Sequence, residues 1–458
     1  MQPQNEKLMS YKLHFKKNIH LALPIMISQL GQVAVGVADS LMVGRLGTEE
    51  LAAVAFGHSI FIVFMVFGMG LSYGMTPLIA EADGRKNTKE IGALLRDGFW
   101  LCFLSGVLLM LVMLGLAPLF SFMGQDPAIV PMAQSYFLII VVSFLPLMCF
   151  QSFRMLAEGL SDTKRAMYIT LVCNGLNIVL NALLIYGLLG FPQLGIYGAA
   201  LATLIARVLM MGWMAYYVLK DKKFQFLDIN LSPGFIERFR MRKILSLGIP
   251  TGLQYVFEST SFALAAILAG WISATALASH QIAISLASVS YIVATGIGAA
   301  AVVRVGNQLG ERNYENLKMA ANSLFVMTVA WMTFCGAILF LGRFLLPSLF
   351  STDIEVIQLT SVLIMIAVLF QLSDGLQVFA LGALRGIKDV KIPTMLTFIA
   401  YWLVALPLAW FLGIFLDLGA PGIWYGLAGG LTMAAILLNF RFYRKVNRLI
   451  KENKSVRN

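Results

Sequence analysis

The stretch LALPIMISQLGQVAVGVADSLMVG at residues 21–44 has a counterpart, LGIPTGLQYVFESTSFALAAILAG, at residues 247–270. An offset of 226 residues aligns Pro24 with Pro250 and Gly44 with Gly270. The same offset, or one of 227, also aligns Ala52 with Ala278, Gly84 with Gly310, Asn87 with Asn313, Gly159 with Gly386, Asp162 with Asp389, Lys164 with Lys391 and Gly195 with Gly422. Because nearly one spacing extends over most of each half, we predict that the chain is an internal duplication.

The composition places both copies in a lipid bilayer. Hydrophobic residues make up 59% of the chain, charged residues make up 12%, and the mean hydropathy is +0.81, which lies outside the usual range of a soluble domain. Twelve apolar runs reach the roughly 20 residues that a helix needs to cross a bilayer. They lie near residues 15–44, 51–80, 93–122, 128–157, 165–190, 193–220, 241–270, 276–303, 317–347, 354–383, 391–415 and 420–445. We predict an all-α polytopic membrane protein with twelve transmembrane helices.

Positive charge lies almost entirely on one side of the predicted membrane. Of the 34 Lys and Arg residues, only Arg45 and Arg343 fall on the other side. Because basic loops stay in the cytoplasm, both termini are predicted to be cytoplasmic, with the chain in the inner membrane of the cell. The net charge of +11 then reflects topology and contact with membrane lipids, and binding to nucleic acid is not expected.

Each copy contains six spans, so both copies enter the membrane in the same direction. We predict an N-terminal six-helix lobe at 1–225, a basic cytoplasmic linker at 226–240, and a C-terminal six-helix lobe at 241–458 that ends in a basic cytoplasmic tail. Parallel repeats of this kind are related by a pseudo-two-fold axis along the membrane normal, and they are typical of transporters that work by alternating access.

Three carboxylates lie deep in the apolar runs, where an Asp costs roughly 2.5–3.5 kcal/mol by insertion scales. Asp39 lies in the first span, Glu258 in the seventh and Asp374 in the tenth, and none has a Lys or Arg within one helical turn. Each could join helices through hydrogen bonds, but we favour cation or proton handling. Since burial disfavours the charged form of a carboxyl group, these acids are suited to exchange H⁺, Na⁺ and an organic cation.

The duplication does not extend to these acids. The offset of 226 pairs Glu258 with Gln32 and Asp39 with Ala265, so neither acid has a carboxylate at the equivalent position of the other copy. Three further polar residues are predicted to line a possible cavity: Gln32, His280 and Gln281. His280 could relay protons, but we favour a packing role through a hydrogen bond.

The N-terminal lobe adds uncharged oxygen donors near its acid. Asn174, Asn177 and Asn181 share one face of the fifth span because they are three and four residues apart, and Thr203 lies in the sixth span. Such donors around Asp39 suit a monovalent ion or a proton relay. The alternative is that they join helices, since Asn and Thr do so in many membrane proteins.

The sequence contains no motif that indicates a metal site, a cofactor or enzymatic activity. The four cysteines lie inside apolar runs without CxxC spacing, so neither a disulfide framework nor a zinc site is suggested. The chain lacks HExxH, a convincing Ser–His or Ser–Lys arrangement and a paired-Asp protease motif. We therefore expect no catalytic activity and no cofactor other than a coupling ion.

Several segments together carry a resemblance to a known family. They are the first-span stretch from Pro24 through Asp39 to Gly44, the Glu258 segment opened by Gly248–Ile249–Pro250, the motif Ala278–Ser279–His280–Gln281–Ile282, the turn with Gly306, Gln308 and Gly310, and Asp374–Gly375–Leu376–Gln377 followed by Arg385, Gly386, Lys388 and Asp389. In these segments the chain resembles the multidrug and toxic compound extrusion (MATE) family, in its NorM-like bacterial branch, over nearly its whole length.

The resemblance implies two six-helix lobes that form a V, and export of cationic, amphiphilic drugs and dyes in exchange for Na⁺ or H⁺. Glu258 and Asp374 match the second-lobe acids of this branch, and Asp39 matches the first-lobe acid. Some relatives carry a further first-lobe Asp four residues after an Asn, where this chain has Asn177 and Asn181. The missing charge favours Glu258 with Asp374 as the coupling-ion site. The resemblance also favours a monomer.

An alternative within the same superfamily is a flippase or exporter of a lipid-linked or metabolite substrate. A flippase for a lipid-linked pyrophosphate would be expected to line its cavity with Arg and Lys, and the spans contain almost none. Arg207, in the sixth span, is predicted to extend to the lipid headgroups. Gly422, Gly426 and Gly430 are predicted to seat a neighbouring helix of the same lobe. The sequence alone selects neither the ion nor the substrate.

Overall fold

The computed structural model describes residues 9–227 and 229–457, and every regular element in this part of the chain is helical. Twelve helical segments are long and apolar enough to cross a membrane, which confirms the predicted number. They are Tyr11–Gly44, Thr48–Gly84, Thr88–Phe122, Val130–Gly159, Thr163–Tyr186, Ile196–Lys220, Arg238–Ile272, Ala274–Gly310, Tyr314–Leu341, Ile354–Gly386, Lys391–Phe415 and Gly419–Ser455.

Three of these spans each contain two α-helices, and a four-residue helix, Leu345–Ser348, lies outside the spans, so the described residues form sixteen α-helices. The helices are α1 Tyr11–Gly44, α2 Thr48–Ser72, α3 Met75–Gly84, α4 Thr88–Leu116, α5 Val130–Val142, α6 Phe144–Gly159, α7 Thr163–Tyr186, α8 Ile196–Lys220, α9 Arg238–Ile272, α10 Ala274–Gly310, α11 Tyr314–Leu341, α12 Leu345–Ser348, α13 Ile354–Gly386, α14 Lys391–Phe398, α15 Leu406–Trp410 and α16 Gly419–Arg457. Two π-helical segments, Ile399–Ala405 and Phe411–Phe415, flank α15.

The duplication is visible in how matching helices begin. Asn87 caps α4 by accepting a hydrogen bond from the backbone of Glu90 (3.2 Å). Asn313, its partner in the repeat, caps α11 in the same way through Asn316 (3.1 Å). The residues just before these caps, Lys86 and Arg312, have φ values of 56° and 58°. Equivalent turns therefore use the same left-handed backbone conformation in both halves.

Packing divides the chain into two compact units, each described here by itself. The N-terminal unit contains residues 27–252, and the C-terminal unit contains residues up to 26 together with those from 253 onward. The units differ from the predicted lobes, 1–225 and 241–458, at the starts of two helices. The start of α1 belongs to the C-terminal unit, and the start of α9 belongs to the N-terminal unit. We call this the exchange of helix starts. The boundary cuts α1 after Met26 and α9 after Gly252, which are partners at the offset of 226.

Close helix contacts explain this exchange. In the N-terminal unit, a Cβ on Gly70 of α2 would lie 2.8 Å from the backbone nitrogen of Gly252. In the C-terminal unit, a Cβ on Gly296 of α10 would lie 3.0 Å from the backbone nitrogen of Met26. Because glycine has no side chain, Gly70 allows the start of α9 to pack closely against α2, and Gly296 allows the start of α1 to pack closely against α10.

Polar contacts also hold the start of α1 in the C-terminal unit. Arg304 of α10 donates to Asn18 Oδ1 (3.0 Å) and approaches His14 Nδ1 at 3.2 Å. Asn18 in turn donates to Ser323 Oγ of α11 (2.7 Å). Arg304 is 7% exposed, and His14 and Asn18 are fully buried, so this cluster is a structural part of the unit's interior.

The predicted glycine stripe does seat a helix within its own unit. A Cβ on Gly422 of α16 would lie 2.6 Å from the carbonyl of Leu412, and one on Gly430 would lie 2.6 Å from the carbonyl oxygen of Ala400. Gly426 approaches the backbone of Ala409. The stripe therefore packs α16 against α15 and the two π-helical segments.

Candidate ion-binding sites

Glu258 of α9 and Asp374 of α13 are both buried in the C-terminal unit, each 7% exposed. The two carboxylates are close enough to interact electrostatically, and the interaction is repulsive when both are ionised. Among the described residues, no Lys or Arg forms an ion pair with either of them. The pair is therefore a concentrated negative site without a fixed counter-ion.

Aromatic hydroxyls complete the surroundings of Glu258. Tyr401, in the first π-helical segment and fully buried, has its hydroxyl 3.4 Å from Glu258 Oε1. Tyr291 of α10 also lies close to Glu258. Gln377, one turn after Asp374 on α13, donates from Nε2 to the Tyr401 hydroxyl at 2.7 Å. Four elements thus bring carboxylate, hydroxyl and amide groups to one place.

One cation of the same unit, Arg385, is held by uncharged groups. Arg385 of α13 donates to Gln254 Oε1 (2.8 Å) and to the Tyr255 hydroxyl (3.1 Å). Its guanidinium also lies 5.0 Å from the centre of the Tyr255 ring, a cation–π contact. Arg385 forms no described ion pair with Glu258 or Asp374, so it does not neutralise the acid pair.

In the N-terminal unit, Asp39 is joined to the predicted polar residues of α7 and α8. Asn181 donates to Asp39 Oδ1 and to Asn177 Oδ1, the latter at 3.4 Å. Asn177 reaches Thr203 Oγ1 at 3.4 Å, and with its amide group turned over it would instead donate to Asp39 at 3.2 Å. Asp39, Asn177, Asn181 and Thr203 therefore form one connected network.

Two of the residues predicted for this lobe have no hydrogen bond to the network. Asn174 lies beside Gly31 on α1, and its buried Nδ2 has no hydrogen-bond partner in the described structure. Gln32 is half-buried on α1, two turns before Asp39. Asn181 Oδ1 is likewise buried without a partner, so the network retains an unfilled acceptor.

His280 and Gln281 are not joined by hydrogen bonds to the acids. His280 is 1% exposed and accepts a hydrogen bond from Trp424 Nε1 through Nδ1 (3.1 Å). This contact agrees with the packing role that the sequence favoured. Gln281, its neighbour on α10, has an exposed side chain. Among the described residues, no group of three or more His, Cys, Asp and Glu residues could hold a metal ion.

The prediction for Arg207 is wrong. Instead of extending to the headgroups, its guanidinium donates to Ser143 Oγ (2.6 Å) and lies 5.2 Å from the centre of the Phe61 ring. Ser143 lies near the middle of the Val130–Gly159 span. The sequence showed a lone Arg in a span but not which neighbours it faces, because Ser143 and Phe61 are distant in the chain and carry no charge that would have indicated a pairing.

Tyr401, Tyr291 and Gln377 were also missed as part of the acid site. Only Gln377 had a usable signal, since it lies three residues after Asp374 and so shares its helix face. The position of Tyr401 depends on a π-helical segment, which changes the side-chain register and is frequent at functional sites. No periodicity in the sequence marks this change.

Twelve spans built from a duplicated half, with buried carboxylates that no described cation pairs with, define the class of this protein as a membrane transporter. The chain belongs to the MATE family. The family model described as MatE matches residues 24–183 and again residues 250–411, so the two matches begin at Pro24 and Pro250, the first pair of the internal repeat.

Curated relatives cover almost the whole chain. A protein of Rhizobium meliloti, described as probable multidrug resistance protein NorM, is 33% identical over 445 residues, which is 96% of this chain and 95% of the relative. The multidrug resistance protein MdtK of Yersinia pseudotuberculosis is 34% identical over 441 residues, covering 95% of this chain and 96% of the relative.

Solved structures have the same fold. The eukaryotic MATE transporter AtDTX14 superposes with a TM-score of 0.87 at 23% identity, over 96% of this chain and 99% of the other. A transporter of the MOP superfamily from Pyrococcus furiosus, whose description reports a binding pocket of reverse polarity, superposes with a TM-score of 0.87 at 26% identity, over 95% of this chain and 96% of the other.

Proposed function

We propose that this protein is a secondary active antiporter that exports cationic or amphiphilic organic compounds in exchange for Na⁺ or H⁺. The descriptions of its NorM and MdtK relatives support multidrug export. We further propose that it acts by alternating access, as a monomer in the inner membrane with both termini in the cytoplasm. The distribution of Lys and Arg along the chain supports this orientation.

The observation that carries the proposal is the acid pair Glu258 and Asp374. Two buried carboxylates that repel each other are costly when both are ionised. A bound proton removes one of the charges, and a bound Na⁺ offsets one of them. Either ion therefore stabilises the site, which gives the coupling ion a thermodynamic reason to bind here.

The neighbouring groups suit both ions. Na⁺ prefers oxygen ligands, as other hard cations do, and the carboxylates, the Tyr401 hydroxyl and the Gln377 side chain supply them. A proton needs only one of the acids and a hydrogen-bond partner for it, which Tyr401 provides for Glu258. We propose that this site binds the coupling ion on one side of the membrane and releases it on the other.

In the exchange that we propose, ion and substrate compete for the negative charge of this acid pair. An organic cation that occupies the site offsets the repulsion between the acids, and an arriving Na⁺ or H⁺ offsets it equally well. Simultaneous occupancy would be opposed by the repulsion between the two positive charges. The gradient of the ion would thereby drive release of the substrate. The Asp39 network is proposed to bind ion or substrate in the N-terminal unit.

The test is efflux of ethidium from drug-pump-deficient cells that express the protein, with the Na⁺ and pH gradients imposed separately. Efflux that follows the Na⁺ gradient alone supports a sodium antiporter, and efflux that follows the pH gradient alone supports a proton antiporter. If neither gradient drives efflux of ethidium by a correctly inserted protein, the proposal is wrong for cationic dyes, and a lipid or metabolite substrate becomes the better hypothesis.

A further inference from the structure

Helix α16 is much longer than a membrane crossing requires. Its 39 residues, Gly419–Arg457, extend about 58 Å at 1.5 Å per residue, whereas the hydrocarbon core of a bilayer is about 30 Å thick. The last turns therefore project out of the membrane, on the side that the basic loops occupy. This projecting end begins at Arg441 and contains seven Lys and Arg residues in 441–457.

One face of this end forms an open cavity of about 580 Å³. The residues that line it lie along one face of the helix because they are three or four positions apart. They are Phe440, Tyr443, Arg444, Asn447, Arg448 and Lys451. Phe440 is 65% exposed, and the three cations are exposed as well. The face therefore passes from two aromatic side chains beside the membrane to a group of cations beyond them.

Other cations of the projecting end have partners within the C-terminal unit. Arg441 and Lys445 both pair with Asp389, at 2.7 Å and 2.9 Å. Lys454 pairs with Glu315 of α11 at 3.0 Å. These three cations therefore have structural roles in the unit, and none of them lines the cavity.

The cations of the cavity are not neutralised in this way. Neither Arg444 nor Lys451 forms an ion pair in the part of the chain that the structure describes. Arg448 pairs with Glu452 at 2.7 Å, but the two side chains are 79% and 56% exposed, and an exposed pair of this kind contributes little to stability. Arg448 is therefore available to another anion at small cost.

A second helix adds a cation to the same place. Lys318 of α11 donates from Nζ to Asn447 Oδ1 at 2.9 Å, which brings its ammonium group to the edge of the cavity. Among the described residues, Lys318 forms no ion pair with a carboxylate. Two helices of one unit thus bring four cations together, with only Glu452 paired to one of them.

The order of groups along this face indicates the kind of ligand. Arg444 lies four residues, about 6 Å, beyond Phe440, which corresponds to the depth of the headgroup layer next to the hydrocarbon core. Aromatic side chains are enriched at this interface, and clusters of Lys and Arg beside a transmembrane helix attract anionic lipids. A soluble anion would contact the cations but not Phe440, whereas a phospholipid contacts both.

We propose that this face of α16 is a binding site for an anionic phospholipid. The lipid phosphate lies on the guanidinium groups of Arg444 and Arg448, the rest of the headgroup lies near Lys451 and Lys318, and an acyl chain packs along Phe440. Guanidinium groups bind phosphate oxygens through two parallel hydrogen bonds, which favours arginine at the phosphate. The proposal does not depend on which ion or compound the protein transports.

Native mass spectrometry of the purified full-length protein in detergent tests the proposal. Phosphatidylglycerol, which is anionic, and phosphatidylcholine, which is zwitterionic, are titrated separately with the same acyl chains. The fraction of protein with one lipid bound gives each affinity. The wild-type protein is expected to bind phosphatidylglycerol about tenfold or more tightly than phosphatidylcholine, since each basic residue near the phosphate adds to the attraction. Equal affinities would contradict the proposal.

The decisive variant combines Arg444→Gln with Arg448→Gln. It is expected to weaken phosphatidylglycerol binding by about tenfold or more and to leave phosphatidylcholine binding unchanged. Arg444→Lys with Arg448→Lys keeps both charges but loses the paired hydrogen bonds, so its affinity for phosphatidylglycerol should lie between those of the wild type and the glutamine variant. If the glutamine variant does not fold, Lys451→Gln removes one charge and should give a smaller loss in the same measurement.

The matched control combines Lys220→Gln with Lys222→Gln. It removes two exposed charges at the end of α8, and Lys220 corresponds to Asn447 at the repeat offset of 227. The affinity for phosphatidylglycerol should not change in this control. Equal losses in the control and in the variant of Arg444 and Arg448 would show that only the net charge matters, and would overturn the proposal. An unchanged affinity in the variant of Arg444 and Arg448 would also overturn it.

Competition distinguishes a lipid from a free anion. Inorganic phosphate and glycerophosphoglycerol, which is the same headgroup without acyl chains, are added to wild-type protein that holds phosphatidylglycerol. Neither is expected to displace the lipid at an equal concentration, because neither contacts Phe440. Phe440→Ser should weaken phosphatidylglycerol binding for the same reason. Displacement by either soluble anion at an equal concentration would identify a general anion site and overturn the assignment to a lipid.

Discussion

The Tyr401 hydroxyl lies 3.4 Å from Glu258 Oε1 and links that carboxylate to Gln377. Tyr401 belongs to a π-helical segment, and Glu258 belongs to α9 on the other side of the site. The phenol can donate to the ionised carboxylate and accept from the amide at the same time. Binding of an ion at Glu258 is therefore expected to depend on this one side chain.

Tyr401→Phe should weaken binding of the coupling ion several-fold, because one hydrogen bond contributes about 0.5–1.5 kcal/mol net. The measurement is the concentration of Na⁺, or the pH, at which dye efflux from proteoliposomes is half-maximal. Tyr425→Phe is the control, since Tyr425 is 48% exposed on α16 of the same unit. An unchanged half-maximal value in Tyr401→Phe would show that the phenol does not take part in ion binding.

Asn181→Leu should destabilise the protein by about 1–3 kcal/mol, because it removes the buried amide that donates to both Asp39 and Asn177. Asn174→Leu on the same helix face removes an amide whose Nδ2 has no partner, so its cost should be close to zero. Thermal unfolding of the purified variants compares them. Equal losses for the two variants would mean that the Asp39 network does not hold the unit together.

His280→Gln should leave the pH dependence of efflux unchanged. The His280 imidazole accepts from Trp424 in the unit's interior and has no described hydrogen bond to either acid. The glutamine oxygen can accept from Trp424 in its place. The pH profile of efflux is measured for this variant and for Trp424→Phe, which removes the donor. A profile that shifts in His280→Gln but not in Trp424→Phe would favour a proton relay instead.

Arg304→Met should lower the free energy of unfolding by about 1–3 kcal/mol, because it leaves Asn18 Oδ1 and His14 Nδ1 buried without a partner. Both residues are at the start of α1, whose packing in the C-terminal unit depends on this cluster. Arg444→Met is the comparison, because Arg444 is exposed on α16. Thermal unfolding that is the same in both variants would contradict a structural role for the cluster.

The sequence was sufficient for the number of spans and for the duplication, because both depend on residue type along the chain. Length and hydropathy determine which segments can cross a bilayer. The pairs Pro24–Pro250 and Asn87–Asn313 can be recognised in the sequence without knowledge of how the helices pack. The network around Asp39 was also predictable in part. Asn177 and Asn181 are one helical turn apart, so their shared face follows from α-helical geometry.

What the sequence could not supply were contacts between distant helices. The exchange of helix starts depends on the approach of Gly70 to Gly252, and nothing near either glycine indicates its partner. Tyr401 reaches Glu258 through a π-helical segment that has no periodic signature. Arg207 was assigned to the headgroups because a lone Arg in a span usually extends to the interface, whereas Ser143 and Phe61 hold it inside the unit.

The central claim is that Glu258 and Asp374 carry the coupling ion. The most direct measurement is dye efflux driven by whichever ion gradient drives the wild-type protein, in Glu258→Gln and Asp374→Asn, with Glu355→Gln at the exposed start of α13 as the control. The account predicts that each of the first two variants loses gradient-driven efflux while it still inserts and unfolds like the wild type, and that the control keeps it. Wild-type efflux in either Glu258→Gln or Asp374→Asn would contradict the assignment.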